Sequence, residues 1–113
     1  MMKDWNKYGA ELISTLGRVG AISPALLEAH DQLAAAAPTE PRLDAKTREL
    51  IALAVAVTTR CDGCIAVHSE AARKAGASKE EVVEALGVAV ALNAGAALVY
   101  TARAFEAFAG DKA

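Results

Sequence analysis

Aromatic rings are scarce in this chain: Phe, Tyr and Trp make up 4% of its 113 residues, whereas hydrophobic residues as a class make up 54%. A core of that composition cannot be filled by large flat side chains. With 28 alanines it must be built from thin ones, which let helices approach closely. Alanine is the best helix former and is depleted in strands, so the composition argues against a sheet and for an all-α fold. An excess of charge of one sign is also missing. Twelve Lys and Arg stand against fourteen Asp and Glu, for a net charge of −2. They are interspersed, leaving no basic stripe to neutralise phosphates, so nucleic acid is not an expected partner. The opening stretch, MMKDWNKYGAEL, has no apolar core followed by a small-residue cleavage site, so a cytoplasmic location is expected. There a lasting structural disulfide is disfavoured, and a pair of cysteines reads as catalytic or metal-binding.

An uninterrupted apolar run is likewise absent. The greasiest stretch, ALGVAVALNAGAALVYTARA from Ala85, approaches the roughly 20 residues of a bilayer span, but Asn93 and glycines interrupt it and Arg103 lies close behind. A buried core or subunit-interface helix is expected instead of a membrane span. The length suits a single domain over residues 1–113. Its buried fraction as a monomer is modest, so assembly with other copies would help its stability.

The helical punctuation is legible. Trp5, Tyr8, Leu12 and Leu16 recur at three- and four-residue steps, predicting a first helix over 4–17 punctuated by Gly17 and Gly20. Ser23 followed by Pro24 opens a second, expected to reach about Ala36, where PTEPRL marks a loop. Asp44 caps a third, AKTRELIALAVAVT, whose apolar residues surround the axis and predict a central, buried helix. At TTRCDG, β-branched residues meet weak helix formers, and a break is expected. A fourth helix carries CIAVHSEAARKA and stops at Gly76. Ser78 and Glu81 form a capping box for a long last helix, with a bend expected at Asn93 to Gly95.

Both cysteines fall within TTRCDGCIAVHSEAARKAG. On a helix, Cys61 and Cys64 stand at i and i+3 and Cys64 and His68 at i and i+4, so the three share one face. A sulfur at the start of that helix meets unpaired amides and the positive end of the macrodipole, which stabilise thiolate, the reactive form. Glu49 adds a fourth group. In one straight helix it would stand ~18 Å from Cys61. If the chain reverses near Thr59 and Arg60, Glu49 precedes the turn by about as much as His68 follows it, and an antiparallel pair sets them face to face. A carboxylate on one nitrogen would orient the ring and raise its basicity, leaving the other nitrogen to take a proton from Cys64.

The pattern Glu-x11-Cys-x2-Cys-x3-His, on ELIALAVAVTTRCDGCIAVH, resembles the core of the alkylhydroperoxidase D-like branch of the carboxymuconolactone decarboxylase superfamily. The resemblance extends from about Asp44 through KAGASKEEVVEAL to NAGAALVYTARAFEAF. It implies an all-helical bundle of about five to six helices assembled as trimers or hexamers. It also implies a thiol peroxidase or disulfide reductase that uses no metal and no cofactor. On this resemblance Cys64 attacks a small hydroperoxide, Cys61 resolves the product, Glu49 and His68 relay protons, and a dithiol or lipoyl-bearing partner restores the thiols. The best-known peroxidase members carry a second histidine between the cysteines, where this chain has Gly63.

Rival readings of the same residues are a zinc site of Cys61, Cys64 and His68 with Glu49 or His30, a lactone-decarboxylase-like lyase, and a non-enzymatic helical assembly module. Structural zinc sites usually draw a second ligand pair from elsewhere, and none is present. Haem attachment fails because Ile65, not histidine, follows the second cysteine, and a thioredoxin-like fold fails for want of βαβ alternation. His30 reads as a partly exposed helix residue with no chemical duty. Trp5 and Tyr8 read as cover for the core or an interface, and Asn93 and Tyr100 as polar groups that could reach the site.

Overall fold

The computed structural model describes residues 1–36 and 38–110, which form five α-helices and, among the described residues, no strand. Helix α1 spans Trp5–Ile22, α2 Pro24–Ala35, α3 Ala45–Thr59, α4 Asp62–Lys74 and α5 Lys79–Ala109. Each boundary has a local chemical cause. The Asp4 carboxylate accepts from the Lys7 amide at 3.0 Å to open α1. Gly17 and Gly20 do not interrupt it, contrary to expectation. A mid-helix glycine costs only about 1 kcal/mol, and the decisive break comes at Pro24, which has no N–H to continue the ladder. Gly20 has a packing use, since a Cβ there would lie 3.3 Å from Cγ of Leu27 on α2.

Asp44 accepts from the Thr47 amide at 2.7 Å and opens α3. Arg60 closes it in the left-handed region, with φ 55°, and the Cys61 amide reaches back to the Ala56 carbonyl at 3.0 Å. This turn supplies the reversal that the sequence predicts. Gly76, at φ 89°, ends α4, and the Ser78–Glu81 capping box opens α5. Helix α5 runs without a break through Asn93 to Gly95, where a bend was expected. The Asn93 amide nitrogen donates to the Ala89 carbonyl at 2.7 Å and to the Thr58 hydroxyl at 2.9 Å, so it ties α5 to α3.

Helix α1 packs on α2 and α4, and α3 packs on α4 and α5. The core is thin, as the alanine content implies: the buried hydrophobic residues are Leu53, Ala56, Ala72 and Ala89. Helix α3 is central but not buried all round, because Ile51 and Val55 keep 49% and 55% of their surface exposed. A single chain gives this helix neighbours on some sides only. The radius of gyration is 18.7 Å, against roughly 13 Å for a compact chain of this length. The exposed area is 9083 Å², against roughly 5,900 Å² for a compact monomer of this mass.

Candidate functional site

The site forms where α3 turns back as α4. Thr58 and Thr59 lend their hydroxyls to the Ala54 and Val55 carbonyls in the last turn of α3. Arg60 then swings the chain round, and Cys61 becomes the N-cap of α4. Its sulfur accepts the Cys64 amide at 3.1 Å, so one of the free N–H groups at this helix start points at sulfur instead of water. Cys61 and Cys64 are joined as a disulfide, with their Cα atoms 5.2 Å apart. Both residues are half-buried, so exposure does not separate them.

Across the reversal, His68 Nδ1 and Glu49 Oε2 lie 2.7 Å apart. An ionised carboxylate can only accept, so Nδ1–H donates and Nε2 is left as the basic nitrogen. The two side chains keep 37% and 25% of their surface exposed, enough burial to hold the ring and enough access for protons to leave. His68 stands one turn beyond Cys64 on the same face of α4. The structure therefore pairs Glu49 of α3 with His68 of α4 and Cys61 with Cys64 at the start of α4, with Cys64 and His68 at i and i+4 on that helix.

His30 stays apart, on the exposed surface of α2 with Nδ1 3.8 Å from Asp31. No group of three or more His, Cys, Asp and Glu side chains among the described residues is placed to hold a metal. Asn93 is spent on the α3–α5 contact. Tyr100 is 63% exposed, with the Arg103 guanidinium 4.8 Å from its ring centroid.

Two features of the site escape sequence reasoning because they come from α1 and the residues just before it. A Cβ added at Gly63 would lie 2.6 Å from Leu12 Cδ2, so the methyl end of Leu12 fills the space beside the CxxC turn. In addition, Lys3 Nζ meets Asp62 Oδ2 at 2.6 Å, although the partners stand 59 positions apart in the chain. No local spacing signals either contact.

The carboxymuconolactone decarboxylase family model matches residues 24–107. An uncharacterized protein of Haemophilus influenzae is 53% identical over 113 residues, covering 100% of both chains. An uncharacterized protein of Cupriavidus necator is 31% identical over 108 residues, 96% of each. Among solved structures, the apo crystal structure of a carboxymuconolactone decarboxylase family protein from Legionella pneumophila superposes with a TM-score of 0.72 at 39% identity, over 92% of this chain and 93% of that one. Helix α5 contains an 18-residue window of mean hydropathy 2.0, long and apolar enough by length and composition to cross a membrane. The family match takes in nearly all of this helix, which makes it an element of the shared fold.

Proposed function

The chain belongs to the carboxymuconolactone decarboxylase family, and from that premise we propose that it is a cytoplasmic dithiol oxidoreductase that reduces hydroperoxides through Cys61 and Cys64. One observation carries the reading: a CxxC pair opens α4 one turn from a histidine whose Nδ1 is engaged by a carboxylate of the facing helix. A structural pair of thiols needs no oriented base beside it.

In the reduced protein, Nε2 of His68 takes the proton of Cys64 while Glu49 stabilises the imidazolium. The Cys64 thiolate attacks the O–O bond of the hydroperoxide. One oxygen stays on sulfur as a sulfenic acid, and the other leaves as alkoxide and takes the proton from His68 to become an alcohol. The Cys61 thiolate, favoured by the amides at the helix start, attacks the sulfenic sulfur and expels hydroxide, which is protonated to water. The result is the Cys61–Cys64 disulfide. A dithiol or lipoyl-type reductant then supplies two electrons and two protons by thiol–disulfide exchange.

A second reading, exchange with disulfide substrates alone, is favoured by Gly63. With Leu12 occupying the space beside it, no second proton-carrying side chain stands between the sulfurs. The two readings part in a steady-state assay with dihydrolipoamide and either cumene hydroperoxide or a small disulfide. The peroxide reading expects consumption that C64S abolishes and that H68A lowers by about 100-fold, the scale of general acid–base catalysis. Turnover of the disulfide with no turnover of peroxide overturns it in favour of exchange.

We also infer that the working form is a homo-oligomer, a trimer or a hexamer. The chain exposes about 3,000 Å² more than a compact monomer should, an excess on the scale of an obligate interface. An apolar groove between α3 and α5, lined by Ile51, Val55, Val88 and Leu92, continues this unpartnered surface.

A further inference from the structure

We propose that Lys3 is a positioning residue for the reactive pair: by pairing with Asp62 it offsets the repulsion that this carboxylate would exert on a thiolate at Cys61. The proposal rests on the dithiol reading above.

Asp62 is the first residue of α4 and follows directly on Cys61, whose sulfur accepts an amide at the same helix start. A carboxylate there is favourable for the helix, because negative charge offsets the positive end of the macrodipole. For the cysteine it is unfavourable, because a thiolate beside it is a second negative charge at the same helix end. Lys3 resolves this conflict. Its ammonium lies 2.6 Å from Asp62 Oδ2, 4.3 Å from the Tyr8 ring centroid and 5.4 Å from that of Trp5. The two rings stand edge to face, 6.2 Å between centroids. The ammonium therefore lies against two aromatic rings as well as the carboxylate. The hydrogen bond to Asp62, more than any other influence, holds the Lys3 pKa above its ordinary value, so the ammonium stays charged wherever a thiol titrates.

The aromatic residues of α1 thereby acquire a use beyond covering the core. Asp4, the N-cap of α1, is engaged by the Lys7 amide. Arg60, immediately before Cys61, is exposed. The Glu49–His68 pair serves the site from α3 and the next turn of α4. All of these remain in place in the variants below.

The test is the pH profile of iodoacetamide alkylation of the fully reduced full-length protein, with Cys61 resolved by peptide mass spectrometry. K3M leaves Asp62 unpaired, and alkylation at neutral pH slows by about two- to fivefold as the profile moves to higher pH, the scale for a partly solvated charge pair. D62N leaves Lys3 as an uncompensated cation, and the profile moves the other way by a similar factor. K3M/D62N returns close to the wild type, and K3R retains the wild-type profile. A clasp that only holds α1 in place would shift K3M and D62N in the same direction. That outcome, or no shift in either, overturns the proposal. Peroxide turnover does not enter this readout, so a protein that consumes no peroxide defeats the functional reading while the two opposite signs still decide this one.

Discussion

At the α3–α4 reversal the polar groups find their partners inside one chain. Cys61 is joined to Cys64 and accepts its amide, His68 is bonded to Glu49, and Asp62 is paired with Lys3. The far half of α5 is the opposite. Leu98, Val99, Phe105 and Phe108 keep 73%, 70%, 63% and 93% of their surface exposed, although they are the sort of side chains that drive burial. The contrast teaches that site and core are specified on different scales. The candidate chemistry is written within about 20 residues of sequence, whereas the hydrophobic surface of α5 finds no cover among the described residues of one chain.

The largest expected effect comes from breaking the second region. Replacing Leu98 and Phe105 together by aspartate places two charges on the exposed apolar far half of α5, which the proposed assembly would cover. If the working form is the proposed oligomer, sedimentation should then show it lost, and thermal unfolding should lose its cooperative transition, because an isolated chain would bury little apolar surface. Leu53→Ala tests the little core that one chain does make. At 4% exposure its truncation should cost about 2–5 kcal/mol by chemical denaturation.

A smaller effect probes the contact of α1 with the site. Gly63→Ala should stay within about 1 kcal/mol of the parent, since the helix gain of alanine offsets a small movement of the Leu12 methyl end. Gly63→His should cost about 1–3 kcal/mol by overpacking, and Leu12→Ala in the same chain should recover most of it. If Gly63→His is neutral without that second change, Leu12 does not close the site.

The smallest effect concerns a half-buried tether between α3 and α5. Lys46 meets Glu81 at 2.8 Å, and this pairing first, with the Ser78 amide second, holds the Glu81 carboxyl below its ordinary range. The Thr47 amide does the same for Asp44. Carboxyls lowered in the folded state add stability that is present above their unfolded pKa and is lost as pH falls through the lower folded values. Lys46 is raised, chiefly by its hydrogen bond to Glu81, so its share is lost only as pH rises beyond the ordinary lysine range. Unfolding midpoints should therefore be flat near neutrality and fall below about pH 4. Lys46→Met should flatten part of that acid limb, and salt should shrink the difference.

The helices and the reversal could be read from the sequence because their causes are local: Asp44 and Ser78 as caps, Pro24 as a breaker, Gly76 as a terminator. Gly17 and Gly20 misled because a glycine tolerated inside a helix looks the same as one that ends it, and Leu27 decides which at Gly20. The spacing of Glu49 to His68 implied their approach once a turn at Arg60 was granted. Lys3–Asp62 and Leu12–Gly63 were illegible, since each joins distant parts of the chain through a docking of α1 on α4 that no periodicity encodes. The burial of α3 was overstated for a related reason: an apolar sequence says that a surface must be covered, not which chain covers it.

In the proposed mechanism Cys61 and Cys64 form a peroxide-driven dithiol switch assisted by Glu49 and His68. Single-turnover oxidation of the reduced protein by one equivalent of cumene hydroperoxide, followed by quench-flow alkylation and mass spectrometry, tests it most directly. The account predicts stoichiometric Cys61–Cys64 disulfide in the wild type, formation about tenfold slower in Glu49→Gln from loss of the orienting carboxylate, and a sulfenic acid at Cys64 that persists in Cys61→Ser. Wild-type thiols left unoxidised, or oxidised at the same rate in Glu49→Gln and His68→Ala, would contradict it.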